Sequence, residues 1–146
     1  MFDFGCHRIE VLSNLLGPIT EVRAMTANVL FDREVEDTAT ALFRFEGSAC
    51  GVLSVSHAAL EPKDTIEIFG SLGSLHVSVL NKGNLRLVTK QGERSESHPP
   101  AANVHAPLIE DFTDAVLADR EPAVSGETGR AVAMIEEEIY PTAFAR

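Results

Sequence analysis

The chain has 146 residues, enough for one domain with a core of its own. It carries 22 Asp and Glu against 12 Lys and Arg, a net charge of −10, which excludes the clustered cations that bind nucleic acid or an anionic membrane. With 45% hydrophobic residues and a mean hydropathy of +0.04, this is the composition of a folded chain, and no apolar run approaches the roughly 18–20 residues of a membrane span. Nothing at the N-terminus reads as a signal peptide, so the expected compartment is the cytoplasm. Cys6 and Cys50 have neither a disulfide framework nor zinc-type spacing, and both are expected to be reduced.

The first stretch opens with Asp3, Gly5 and His7 and runs into an apolar period. Ile9, Leu12 and Leu16, with Val11 and Leu15 beside them, have the spacing of a helix with one buried face, and Gly17-Pro18 stops it. Residues 19–31 then alternate loosely as a strand, with Val22, Ala24 and Thr26 on one side and Arg23, Met25 and Ala27 on the other. Residues 37–45 form a clearer strand, with Ala39, Ala41, Phe43 and Phe45 on one face. Glu46-Gly47-Ser48 has hairpin chemistry and leads into a strand at 49–57, so these two must be antiparallel.

Strands follow at 64–69 and 74–80 around the Gly70–Gly73 turn, and another at 85–90 after Asn81-Lys82-Gly83-Asn84. Residues 91–102 are polar, contain Pro99-Pro100, and read as an irregular loop. Two helices finish the chain. One has Leu108, Ile109, Phe112, Ala115 and Val116 as its apolar face and ends at Arg120-Glu121-Pro122. The other starts after Ser125, buries Val132, Ile135 and Ile139, and stops before Pro141. Glu136-Glu137-Glu138 reads as a solvated face or an edge of contact, not a metal site. A helix, about six strands and two helices make an α+β domain, a mostly antiparallel open-faced sheet with helices on one face. The other face must be polar or find a partner.

Asp3 and His7 are the candidates for chemistry. Their spacing brings both to one side of a helix entry, where an imidazole exchanges a proton near neutral pH and a carboxylate orients it. On residues alone the plainer alternative stands beside this one, with Asp3 as a helix cap and His7 as an ordinary polar residue. His57, His98 and His105 form no tight ligand pair with them, so no metal site is expected. No G-x-G-x-x-G opens a βα unit, and the glycines of Gly70-Ser71-Leu72-Gly73 lead into a strand.

Five segments in order, Asp3 to His7, Glu36-Asp37-Thr38-Ala39-Thr40-Ala41, Ile66 to Leu75, Ile109-Glu110-Asp111-Phe112 and Glu121 to Glu127, resemble the second domain of the glucose-fructose oxidoreductase / inositol dehydrogenase (Gfo/Idh/MocA) family. The resemblance implies a C-terminal, glyceraldehyde-3-phosphate dehydrogenase-like fold over residues 1–146 as a single domain. It also implies a sheet face used for homo-oligomerisation and a place beside the nicotinamide and a sugar-like or polyol substrate. By the same resemblance His7 is the proton donor or acceptor and Asp3 its supporting carboxylate or a substrate ligand. His105, in the loop before a helix, is a substrate-side residue, with a solvated loop histidine as the alternative. Asp111 is structural.

The family's E-K-P lysine belongs to the nucleotide domain and has no counterpart here, since Glu61-Pro62-Lys63 is a loop. The implied cofactor, NAD or NADP, is therefore expected in a full-length enzyme with a Rossmann domain and not on this chain alone. Met1 would then be an internal methionine of a longer oxidoreductase. The reading of a different class is a non-enzymatic module that pairs through its sheet or binds a sugar without turnover.

Overall fold

The computed structural model describes residue 1 and residues 3–144, with side chains up to residue 140. The chain divides into two compact units, Met1–Ala59 with Val124–Arg146, and Leu60–Ala123. In the first unit, α1 (Gly5–Leu16) is followed by β1 (Ile19–Ala27), β2 (Thr38–Phe45) and β3 (Cys50–Ser56), and α3 (Gly126–Phe144) returns to it. In the second, β4 (Ile66–Gly70), β5 (Gly73–Val77), β6 (Asn84–Thr89) and β7 (Gly92–Ser97) precede α2 (Ala106–Leu117). The α+β architecture expected from sequence is present, with antiparallel pairing throughout both sheets. Among the described residues the strands number seven and hydrogen-bond as one sheet of three and one of four, where about six are expected from sequence in one sheet.

The first sheet has the order β1-β2-β3 and sorts its side chains cleanly. Val22, Ala39, Ala41, Phe43, Phe45 and Leu53 are buried and cluster with Ile9 of α1 and Ile139 of α3. This is the strand alternation and the helix stripe read from sequence, now facing each other. Phe45 is among the largest fully buried side chains, and a Cβ on Gly51 of the neighbouring strand would meet its ring at 3.2 Å, so the glycine makes room for the phenylalanine. The opposite face carries Met25, Leu42 and Val52 with Arg23, Arg44 and hydrogen-bonded Thr–Ser pairs (Thr38 with Ser56 at 2.8 Å, Thr40 with Ser54 at 3.1 Å). Helices α1 and α3 leave this face open, and Met25 is 78% exposed.

Helix α1 ends as expected, at Gly17 with φ 91°, whose N–H donates to the Ser13 carbonyl. The expected stop before Pro141 does not occur, because α3 continues to Phe144. A proline in a last turn removes one backbone donor without preventing the residues around it from staying helical. Glu136 is buried rather than solvated, and burial raises its pKa.

The second sheet is a meander, β4-β5-β6-β7. Strand β7 occupies the stretch expected to be loop. Its residues Glu93, Arg94, Ser95 and Glu96 offer no apolar alternation, and what makes them a strand is the hairpin register with β6 through Gly92 (φ 130°). At the other end Gly83 (φ 67°) lies so close to the His98 carbonyl that no side chain fits there. Asp111 has the structural role expected of it. Its carboxylate accepts from the Ala123 N–H at 2.6 Å and from Arg120 at 2.9 Å, and those two bonds hold its pKa down.

Candidate functional site

One pocket, of about 330 Å³, lies within the first unit at the end of the sheet where β1 leaves and β2 begins. Its walls are Asp3 and Phe4 before α1, the 28–37 connection, His57 after β3, and Tyr140 of α3. The connection is built around Asp37. The Asp37 carboxylate is buried and accepts three backbone N–H groups, from Val29 at 2.9 Å, Leu30 at 2.7 Å and Phe31 at 3.0 Å. Burial alone would raise its pKa, but those bonds outweigh it and bring the group from 3.8 to about 2. Asn28 braces the same loop, donating to the Arg33 carbonyl at 2.5 Å. Folded this way, the loop presents Phe31 to the pocket with the Arg33 guanidinium 4.7 Å above its ring.

Asp37 ties this wall to stability and to pH. A carboxylate with a lowered folded pKa stabilises fully above its ordinary value and loses that contribution as the proton returns. Acid should therefore loosen the loop as pH falls from 3.8 through about 2. Asp37→Ala leaves three loop N–H groups without their acceptor and is expected to lower the melting temperature by roughly 5–10 °C at pH 7, read by circular dichroism. At pH 2 the difference from the native chain should shrink.

On the other side of the pocket Glu36 accepts from the Tyr140 hydroxyl at 2.5 Å. The Asp3 carboxylate faces His57, with Oδ2 at 3.5 Å from Nε2, and the Phe4 ring is stacked on His57 with centroids 4.6 Å apart. The pocket thus has an imidazole, a guanidinium, a phenol and three carboxylates around an apolar floor of Ala39 and Val55. Such an arrangement suits a small, hydroxyl-rich molecule, which needs several donors and acceptors at once.

The candidates from sequence are placed as follows. Asp3 and His7 sit at the entry and in the first turn of α1, both exposed. Asp3 does not cap that helix, because its N-cap is Phe4 with no side-chain bond. Among the described residues the Asp3 carboxylate pairs with His57 and not with His7. His105 belongs to the second unit, exposed at the N-cap of α2, where its N–H donates to Asn103 Oδ1 at 3.0 Å. His57, Phe4, Arg33 and Tyr140 were not singled out as parts of a pocket. The signal available was His57 at a strand end and Asp37 opening the next strand. No spacing rule joins either to Asp3. Among the described residues no three His, Cys, Asp or Glu side chains converge as a metal site would require.

Residues 1–76, which contain Asp3, His7, Asp37 and His57, match the family model of the GFO/IDH/MocA C-terminal domain. The chain belongs to this family. Over 144 residues it is 26% identical to myo-inositol 2-dehydrogenase of Thermotoga maritima, covering 91% of this chain and 43% of that enzyme. This GFO/IDH/MocA domain therefore spans less than half the length of the curated relatives it matches.

Two solved structures establish the fold. An oxidoreductase from Agrobacterium radiobacter in complex with NAD+, L-tartaric acid and magnesium superposes with a TM-score of 0.87 at 21% identity, over 98% of this chain and 46% of that one. Levoglucosan dehydrogenase in complex with NADH and levoglucosan does so with a TM-score of 0.84 at 22% identity, over 97% of this chain and 47% of that one.

A dinucleotide site would need a parallel βαβ unit whose Gly-rich turn aims a helix N-terminus at the pyrophosphate. The named strands of the GFO/IDH/MocA domain pair only antiparallel, and in each sheet they run in sequence order. Among its described residues there is no such unit.

Proposed function

We propose that this chain is the substrate-binding and oligomerisation domain of an NAD(P)-dependent oxidoreductase acting on a sugar, polyol or related hydroxy compound. The dinucleotide is held by a separate Rossmann domain, and no step through it is assigned to these residues. The observation that carries the reading is the pocket at the start of α1. There Asp3, His57 and Phe4 form one contact group inside the segment that matches the family.

In this reading His7 exchanges the proton of the reacting hydroxyl, a task for which an imidazole is suited near neutral pH. Asp3 is a substrate ligand that also orients His57, and Arg33 and His57 hold further hydroxyls. His105 is a second proposed substrate contact, independent of this pocket. The test is a chimera in which the aligned segment of the Thermotoga myo-inositol 2-dehydrogenase is replaced by this chain. It should form NADH when given myo-inositol or a related polyol. A folded chimera that binds NADH and oxidises no polyol across such a panel would count against the proposal.

The open face of the first sheet is the proposed homo-oligomer surface. Leu42 and Val52 are 54% and 66% exposed beside Met25, an apolar centre with Arg23, Arg44 and hydroxyl side chains around it. Placing a carboxylate there with Leu42→Asp should halve the mass measured by light scattering relative to the native chain. An unchanged mass would move the interface elsewhere.

A further inference from the structure

The polar face of the second sheet holds a group that the proposed oxidoreductase does not use. Alternation along β4 and β5 puts Ile66, Ile68, Leu75 and Val77 on one face and Glu67, Phe69, Ser74 and His76 on the other. Ser74 and His76 are two residues apart on β5, and Glu67 lies opposite His76 in the β4–β5 register. Ser74 Oγ is 2.8 Å from His76 Nε2, and His76 Nδ1 is 2.9 Å from Glu67 Oε1. The Phe69 ring lies at 84° to the imidazole, with ring centroids 5.6 Å apart.

The chemistry of the partners sets the direction of these bonds. An ionised carboxylate only accepts, so Nδ1 carries the hydrogen. A neutral ring then has its lone pair on Nε2, and the Ser74 hydroxyl must donate to it. This is a nucleophile hydrogen-bonded to a base that a third group orients. Beside it a pocket of about 430 Å³ is lined by His76, Ser78, Asn84, Arg86, Ser95 and Ser97 among others.

We propose that Ser74 is an activated nucleophile, with His76 as its base and Glu67 as the orienting carboxylate, that accepts acyl groups from small activated esters and phosphonyl groups from organophosphorus reagents. In the step, Ser74 Oγ bonds to the acyl carbon or the phosphorus while Nε2 takes the hydroxyl proton. The bond to the leaving group breaks with its electron pair, and that group departs as phenolate or fluoride, or leaves with the proton from Nε2. Water attacking the acyl-serine by the reverse route releases the carboxylic acid and restores Ser74.

The test is labelling of the intact chain with a fluorophosphonate probe, followed by mass spectrometry of the modified peptide and by p-nitrophenyl acetate hydrolysis. Expected is a single adduct on Ser74, absent in Ser74→Ala. Its rate should fall about tenfold or more in His76→Ala and by a smaller factor in Glu67→Gln, which keeps the shape of an exposed side chain. Circular dichroism confirms that each variant is folded. Labelling of folded Glu67→Gln and His76→Ala at the native rate, labelling at another residue, or no labelling of the native chain would overturn the proposal.

Discussion

Phe45→Ala should cost about 3–5 kcal/mol of stability, the range for removing a fully buried aromatic side chain and leaving a cavity. Phe45 is 1% exposed, lies edge-on to Phe43 at 6.4 Å, and packs where α1 and α3 close over the first sheet. Neither helix can follow it inward without disturbing the packing of its own Ile9 or Ile139 in the core, so the cavity should persist. In urea the transition midpoint would fall by about 1.5–2.5 M, taking an unfolding slope near 2 kcal/mol per molar. Leu60→Ala is the control, since that side chain is wholly exposed and its loss should change the midpoint little. Similar losses for both variants would contradict the core described above.

The second large effect concerns chemistry. In the chimera with myo-inositol 2-dehydrogenase, His7→Ala should lower kcat by about 10²–10⁴-fold with little change in KM, the loss expected when a positioned proton carrier is removed. His57→Ala should act differently. Its ring is held by Asp3 and Phe4 on the pocket wall, so its removal should raise KM more than it lowers kcat. If both variants raise KM alone, neither histidine moves a proton in the reaction.

How much of this was legible in the residues differs from element to element. The buried faces of β2 and α1 follow from period alone, because Ala39, Ala41, Phe43 and Phe45 alternate strictly and Ile9, Leu12 and Leu16 recur at helical spacing. Strand β7 was hidden because its side chains are all polar and its strand character comes from the partner it pairs with. Glu136 was hidden because three consecutive glutamates read as solvated, while only the residue on the inward face of α3 is buried. In the site, Asp3 and His7 were visible through spacing and resemblance. The Asp3–His57 pair joins residues more than fifty positions apart, and only the packing of Asp3 and Phe4 against the end of β3 brings them together. Asp37 was noticed as part of a matching segment, yet its three loop N–H bonds depend on the backbone path of 28–37, which no side-chain pattern encodes.

The most direct test of the substrate site uses the five histidines as reporters. With side-chain isotope labels in the chimera and NADH present, myo-inositol is titrated and the imidazole resonances of His7, His57, His76, His98 and His105 are followed by NMR. The account predicts saturable shifts at His7 and His57, with His76 and His98 unmoved. Shifts confined to His76 or His98, or turnover with His7 and His57 unperturbed, would contradict it.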